Sequence, residues 1–202
     1  MGKSLDRDTL LEAFDEIGKA ARQADVTLHI AVYGGSALML ASNFRFNSED
    51  VDIAELEHPW PNWLQDVVRG IGEARGWSGD WLNEAVSVHL SPLATVERDH
   101  VFFGSFPRSD VEPGLMIYVP SAEYLLALKL KAIRVLDPTR GAQEAADIRN
   151  LMKVTGATSA EAAISVMGRY FPRSADDPAK QLFLLRHVLA GEGDEDAPAY
   201  PL

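Results

Sequence analysis

Cysteine is absent from the 202-residue chain. That excludes disulfides, thiolate metal sites and cysteine nucleophiles. No window approaches 18 uninterrupted apolar residues, so no segment reads as a membrane span. The first residues, MGKSLDRDTLLEAFDEIG, are charged and hold no apolar signal core. The expectation is a soluble, cytoplasmic protein with no membrane partner. Basic residues are the minority: 19 Lys and Arg against 30 Asp and Glu give a net charge of −11. Such a balance repels nucleic acid at long range, so contact with it needs a local basic patch or a metal ion. With 47% apolar and 24% charged residues, collagen, low-complexity disorder and a coiled coil are also excluded.

Periodicity divides the chain into a mixed front and a helical back. Leu10, Leu11, Phe14, Ile17 and Ala21 recur at helical spacing behind Asp6 or Asp8 as cap. Thr27–Tyr33 is a β-rich run that stops at Gly34-Gly35, and Ser36–Ser42 then reads as a helix. Asn43–Glu49 is turn-like, whereas Asp50–Leu56 alternates as a half-buried strand does. Pro61–Arg75 fits a helix, and Val86–Leu90, Val101–Phe106 and Leu115–Val119 fit short strands. After Pro120 the segments Ser121–Leu136, Gly141–Lys153, Ser159–Tyr170 and Pro178–Ala190 all read as helices. The expected fold is therefore α+β, a mixed α/β arrangement with a small twisted sheet flanked by helices. Its expected parts are an α/β part over 1–120, a helical part over 121–190 packed on it, and a disordered acidic tail over 191–202.

Chemistry concentrates in one stretch, Val32-Tyr-Gly-Gly-Ser36 followed by Asp50-Val-Asp52. A Gly-Gly-Ser turn into a helix presents backbone N–H groups at the positive end of the helix dipole, which is a phosphate cradle. Two Asp at i and i+2 on a strand share a face, so their carboxylates can share a metal ion. Mg²⁺ takes one or two protein carboxylates and completes its shell with substrate phosphates. Together such parts grip a nucleoside triphosphate. Each part alone is commonplace: most Gly-Gly turns are only turns, and most Asp-x-Asp pairs are solvated.

These residues resemble the nucleotidyltransferase fold of the polymerase-beta-like superfamily, and more narrowly its AbiEii-type toxin branch. The resemblance covers about residues 27–152. It rests on Gly34-Gly35-Ser36, an Arg-containing turn at Arg45, Asp50-x-Asp52, the helix Leu125–Lys131 and the Asp147 helix. It implies an Mg²⁺- or Mn²⁺-dependent transfer of a nucleotidyl group from an NTP to an acceptor hydroxyl. It also implies tRNA as an acceptor and a cognate antitoxin protein as a partner. On this reading Asp50 and Asp52 hold metal, and Gly34, Gly35, Ser36, Arg45 and Lys131 bind substrate. Lys129 neutralises developing charge, and Asp147 orients Lys129 or the acceptor. The chain departs from the family in two places. Its turn reads Arg45-Phe-Asn-Ser48 where Arg-x-Thr is usual, and Leu115–Val119 carries no third carboxylate. A catalytically weak binding module acting through a protein partner is the alternative.

The helical phase singles out Lys129 independently of the resemblance. It falls about 40° from Leu125, inside the stripe centred on Leu125, Leu128, Ala132 and Leu136. An ammonium inside an apolar face needs a partner, a site, or a snorkelling path to water. Lys131 falls on the opposite face, and solvation explains it. Asp147 sits at the edge of the face made by Ala145, Ile148, Leu151 and Met152, within expected reach of Lys129. His29, His58, His89, His100 and His187 have no metal-ligand spacing and read as structural or exposed. Trp60, Trp63, Trp77 and Trp81 read as packing.

Overall fold

The computed structural model of the protein describes residues 5–56, 60–109, 112–191 and 197–201. The elements begin with β1 (Leu5–Asp6), α1 (Arg7–Gln23), β2 (Leu28–Val32), α2 (Gly34–Ala41), β3 (Asn47–Ser48) and β4 (Val51–Glu55). Next come α3 (Asn62–Arg75), β5 (Leu82–Asn83), a 3₁₀ turn (Ala85–His89), α4 (Val96–Asp99), β6 (His100–Phe106) and β7 (Leu115–Pro120). The remainder is helical: α5 (Ala122–Ala132), α6 (Gly141–Thr155), α7 (Ala160–Tyr170), α8 (Pro172–Asp176) and α9 (Ala179–Leu189). The protein is a mixed α/β fold.

Among the described residues, one compact unit draws on Met1–Ala41, Phe46–Val88 and His100–Val119. Its main sheet has the order β5-β4-β2-β7-β6, with β2 antiparallel to β4 and parallel to β7. Strands β1 and β3 pair separately. The register sorts the side chains cleanly. Val32 pairs with Ile53 and Ile30 with Ile117, so these residues share a face with Val51, Leu115 and Val119, and all seven are buried. Ala31 pairs with Ala54 and with Tyr118, and Tyr33 donates its N–H to Asp52. The opposite face therefore carries Asp52, Ala54, His29, Ala31, Tyr33, Met116 and Tyr118.

Helix α1 is capped by Asp6, whose carboxylate accepts the Thr9 N–H at 2.9 Å. It buries Leu10, Phe14, Ile17 and Ala21, as their spacing predicts. Two glycines let backbones touch here. A Cβ on Gly18 would lie 2.5 Å from the Phe106 carbonyl carbon, and one on Gly114 would lie 2.0 Å from the Gly18 oxygen. The Trp77 and Trp81 rings pack in the core with centroids 4.9 Å apart and planes tilted at 56°, and the Trp81 indole N–H donates to the Val68 carbonyl, as expected of packing residues.

The second unit comprises Ser42–Arg45, His89–Asp99 and Pro120–Leu202 so far as they are described. A single break at residue 120 is thus too simple, because two loops from the front of the chain belong with the helices. Hydrogen bonds explain the second loop. Ser91 donates its hydroxyl to the Tyr170 carbonyl and its N–H to the Tyr124 hydroxyl, while the Tyr170 hydroxyl donates to Asp99. Burial opposes ionisation of Asp99, yet Arg98, the Thr95 N–H and Tyr170 outweigh it and hold the carboxyl below its ordinary range.

Three expectations change. Val86–Leu90 is no strand: Val86 and Val88 mimic alternation, but Val88 is 83% exposed and the segment turns as a 3₁₀ helix. Helix α5 stops at Ala132, four residues short of Leu136, which is 62% exposed. Beyond it Asp137 caps a new turn by accepting from the Thr139 and Arg140 N–H groups and the Thr139 hydroxyl. Of the acidic tail, 192–196 lies outside the described residues, as does His58, whereas 197–201 is anchored. The Tyr200 ring is buried and its hydroxyl donates to the Pro120 carbonyl at 2.7 Å.

Candidate functional site

The turn and the strand singled out in the sequence come together in the first unit. Gly34 opens α2 with φ +63°, a conformation that costs a side chain strain and that glycine adopts freely. A Cβ there would lie 3.0 Å from the Asp52 Oδ2, so the carboxylate rests against the glycine. Ser36 donates its hydroxyl to the Asp50 carbonyl, and Ser48 donates to the same oxygen at 2.9 Å. The turn and the Asp50-x-Asp52 segment are therefore pinned at two points. Asp50 and Asp52 are half-buried, while Val51 and Ile53 between and beyond them are fully buried; Asp52 lies within β4 and Asp50 immediately before it. Gly35 lies in the first turn of α2. Ser36 itself is buried, and its hydroxyl is directed at the strand.

Around Asp52 its sheet face is ringed with aromatic and imidazole groups. Tyr33, buried next to Gly34, bonds through its hydroxyl to the His100 Nε2 at 2.7 Å. The His29 and Tyr118 rings stack at 6.2 Å, and Phe102 meets Tyr118 edge-on at 5.6 Å. Histidine spacing along the chain gave no hint of this, since the register of β2 against β4 and β7 is what joins these residues to Asp52.

Lys129, Asp147 and Arg45 form a different cluster, inside the second unit. Lys129 is 7% exposed, although the stripe centred on Leu125, Leu128, Ala132 and Leu136 is not the buried face: Ala132 and Leu136 are exposed, and the buried residues are Tyr124–Ala127, Lys129 and Leu130. Its ammonium lies 2.9 Å from Asp147 and 3.1 Å from Glu144. Asp147 is wholly buried rather than at an edge, and it also accepts from Arg45 at 2.7 Å and from Gln143 at 3.0 Å. One carboxylate thus holds two cations, the arrangement under which a buried charge is tolerable. Glu144 and Gln143 were not foreseen. Their signal was present in α6, where both sit within one turn of Asp147.

Lys131 does not join that cluster, nor is it freely solvated. It is half-buried, donates to the His89 carbonyl at 2.9 Å, and lies 4.3 Å from the centre of the Phe171 ring. A basic substrate contact is therefore not what occupies its ammonium here.

No known protein family, curated protein or solved structure matches the chain. The residues themselves must carry the functional argument. Among the described residues, no group of three or more His, Cys, Asp or Glu could hold a metal ion. Carboxylates two residues apart, as at Asp50 and Asp52, are a donor set that suits Mg²⁺, which keeps several waters and takes its remaining ligands from substrate phosphates. Among the same residues, no helix is long and apolar enough to cross a membrane.

Proposed function

We propose that the protein is a nucleotidyltransferase dependent on Mg²⁺ or Mn²⁺, moving a nucleotidyl group from an NTP to an acceptor hydroxyl. The observation that carries this reading is the coupling of the Gly34–Ser36 turn to Asp50-x-Asp52, with Asp52 lying against Gly34. Gly34 and Gly35 leave the backbone open to triphosphate oxygens at the start of α2. Asp50 and Asp52 hold the metal, which when bound polarises the transferring phosphoryl group. Within the helical unit, Asp147 fixes Lys129 and Arg45. The acceptor in this reading is RNA, tRNA being the class that the resemblance implies, and the outcome is toxicity restrained by a cognate antitoxin in a toxin–antitoxin or abortive-infection system.

Calorimetric titration of NTP into the protein, with Mg²⁺ or with EDTA, tests the site. Binding is expected with metal, and loss of it in EDTA and in Asp52→Asn, because an acidic site without metal repels the anion. Equal affinity in all three rejects the reading. A second reading, a binding module acting through a protein partner, draws on the Ser36 hydroxyl being committed to the Asp50 carbonyl and on Lys129 being shared by two carboxylates. That module needs no metal-dependent NTP binding, so the same titration separates the two.

A further inference from the structure

The sheet face that carries Asp52 is unusual in its other occupants. The face behind it is aliphatic and buried, as the back of a sheet covered by helices should be. The Asp52 face instead offers His29, Tyr118 and Phe102 in a row across β2, β7 and β6, three adjacent strands. These rings are not sealed in a core. Phe102 is 50% exposed, and His29 and Tyr118 are partly exposed. Large rings left open on a sheet are a liability unless something covers them.

The spacing says what kind of ligand fits. Asp52 lies beside Tyr33, and Tyr118 beside Ala31, so Asp52 and Tyr118 are two strands and two residues apart. At ordinary strand spacing and rise this is about 12 Å. Phe102 is a further strand away. That is farther than the base of a nucleotide reaches from an α-phosphate held at the carboxylates. It suits the next unpaired bases of a strand whose end is at the carboxylates. A net charge of −11 opposes phosphates at long range, so contact with RNA here rests on the stacking rings together with metal at the carboxylates. Aromatic side chains on an open sheet stack successive bases with little regard to sequence.

We propose that the His29–Tyr118–Phe102 row stacks the unpaired bases of a single-stranded RNA whose reacting end lies at Asp50 and Asp52. This deepens the nucleotidyl-transfer reading and takes the position of the reacting end from it. The ring row can be tested without turnover. A short fluorescein-labelled single-stranded RNA is titrated with the full chain by fluorescence anisotropy, in Mg²⁺ and without NTP. Wild type binds it, and an abasic oligonucleotide of the same length binds at least about tenfold more weakly, a loss of about 1.4 kcal/mol. Phe102→Ala weakens the single-strand complex by about the same factor, as expected when one stacking ring is removed. Phe102→Trp keeps a ring and retains wild-type affinity, which also shows that the edge strand tolerates substitution. Phe183→Ala, at an exposed ring on α9, leaves affinity unchanged. The proposal is overturned if wild type fails to bind the RNA, or if the abasic strand binds equally well. It is also overturned if Phe102→Ala has no effect or Phe183→Ala has the same effect. Loss of RNA binding with metal-dependent NTP binding intact would remove the stacking row alone. The reverse result would leave an RNA-binding face and remove the transferase reading.

Discussion

At Lys129 a single side chain sets the energetics of its surroundings. Viewed along the helix alone, methionine would be an ideal replacement, since it keeps the stem and matches the apolar stripe. The partners reverse that expectation. Asp147 is wholly buried and shared by Lys129 and Arg45, so removing one cation leaves a buried carboxylate under-compensated. Lys129→Met is expected to destabilise the protein by about 3 kcal/mol, at the lower end of such losses because Arg45 remains. Asp147→Asn should be destabilising too, because the two cations lose their shared counter-charge. The double variant should cost less than the sum of the two by about 1 kcal/mol or more. Urea unfolding of the four proteins measures this, and strict additivity would show that the pair is not coupled.

At the scale of elements, the end of α5 shows how a polar residue overrides an apolar pattern. The apolar residues around α5 are not confined to one stripe: Tyr124, Leu125, Leu126 and Ala127 are consecutive and all buried. A periodicity rule therefore has no phase by which to find the end. What marks the next segment is Asp137, whose carboxylate collects the Thr139 hydroxyl and two backbone N–H groups. Those bonds, the Thr139 hydroxyl first, lower its pKa from the ordinary 3.8 to about 2. The group binds protons more weakly in the folded state, so its contribution is complete above about pH 4 and is lost as pH falls through about 2. A carbon-13 titration of the Asp137 carboxyl should show a midpoint near 2, and Thr139→Ala should raise it. An unchanged midpoint in Thr139→Ala would remove the hydroxyl as the main cause.

At the scale of the whole chain, segments distant in sequence complete the helical unit. Tyr200 is buried, with its hydroxyl on the Pro120 carbonyl, and Asn43 bonds to Ala197 and Ala199 from the other end of the chain. Burying one such ring contributes about 2 kcal/mol. Truncation after Gly191 should therefore lower the melting temperature by roughly 4–8 °C in a chain of this size. Tyr200→Ala in the full chain should reproduce most of that loss. If truncation and Tyr200→Ala both leave the melting temperature unchanged, the anchoring contributes nothing to stability.

Local rules were enough for what local forces decide. The cap of α1, the Gly34 turn, the alternation of β4 and the helical back half follow from side-chain chemistry and period within a few residues. Burial of Lys129 was expected from a stripe that proved not to be the buried face, so the sequence singled out the residue without the reason for its burial. Three features were decided only in three dimensions. The register of β2 against β4 and β7 put His29 and Tyr118 on the Asp52 face, and register is set by pairing between segments far apart in the chain. The partition of Arg45 and residues 89–99 into the helical unit depended on hydrogen bonds to residues many tens of positions away. The partners of Lys129 and Lys131 came from neighbouring elements, and a helical wheel carries no information about what lies opposite it. The physical reason is common to all three: period reports which way a side chain points, while its energy depends on what it meets.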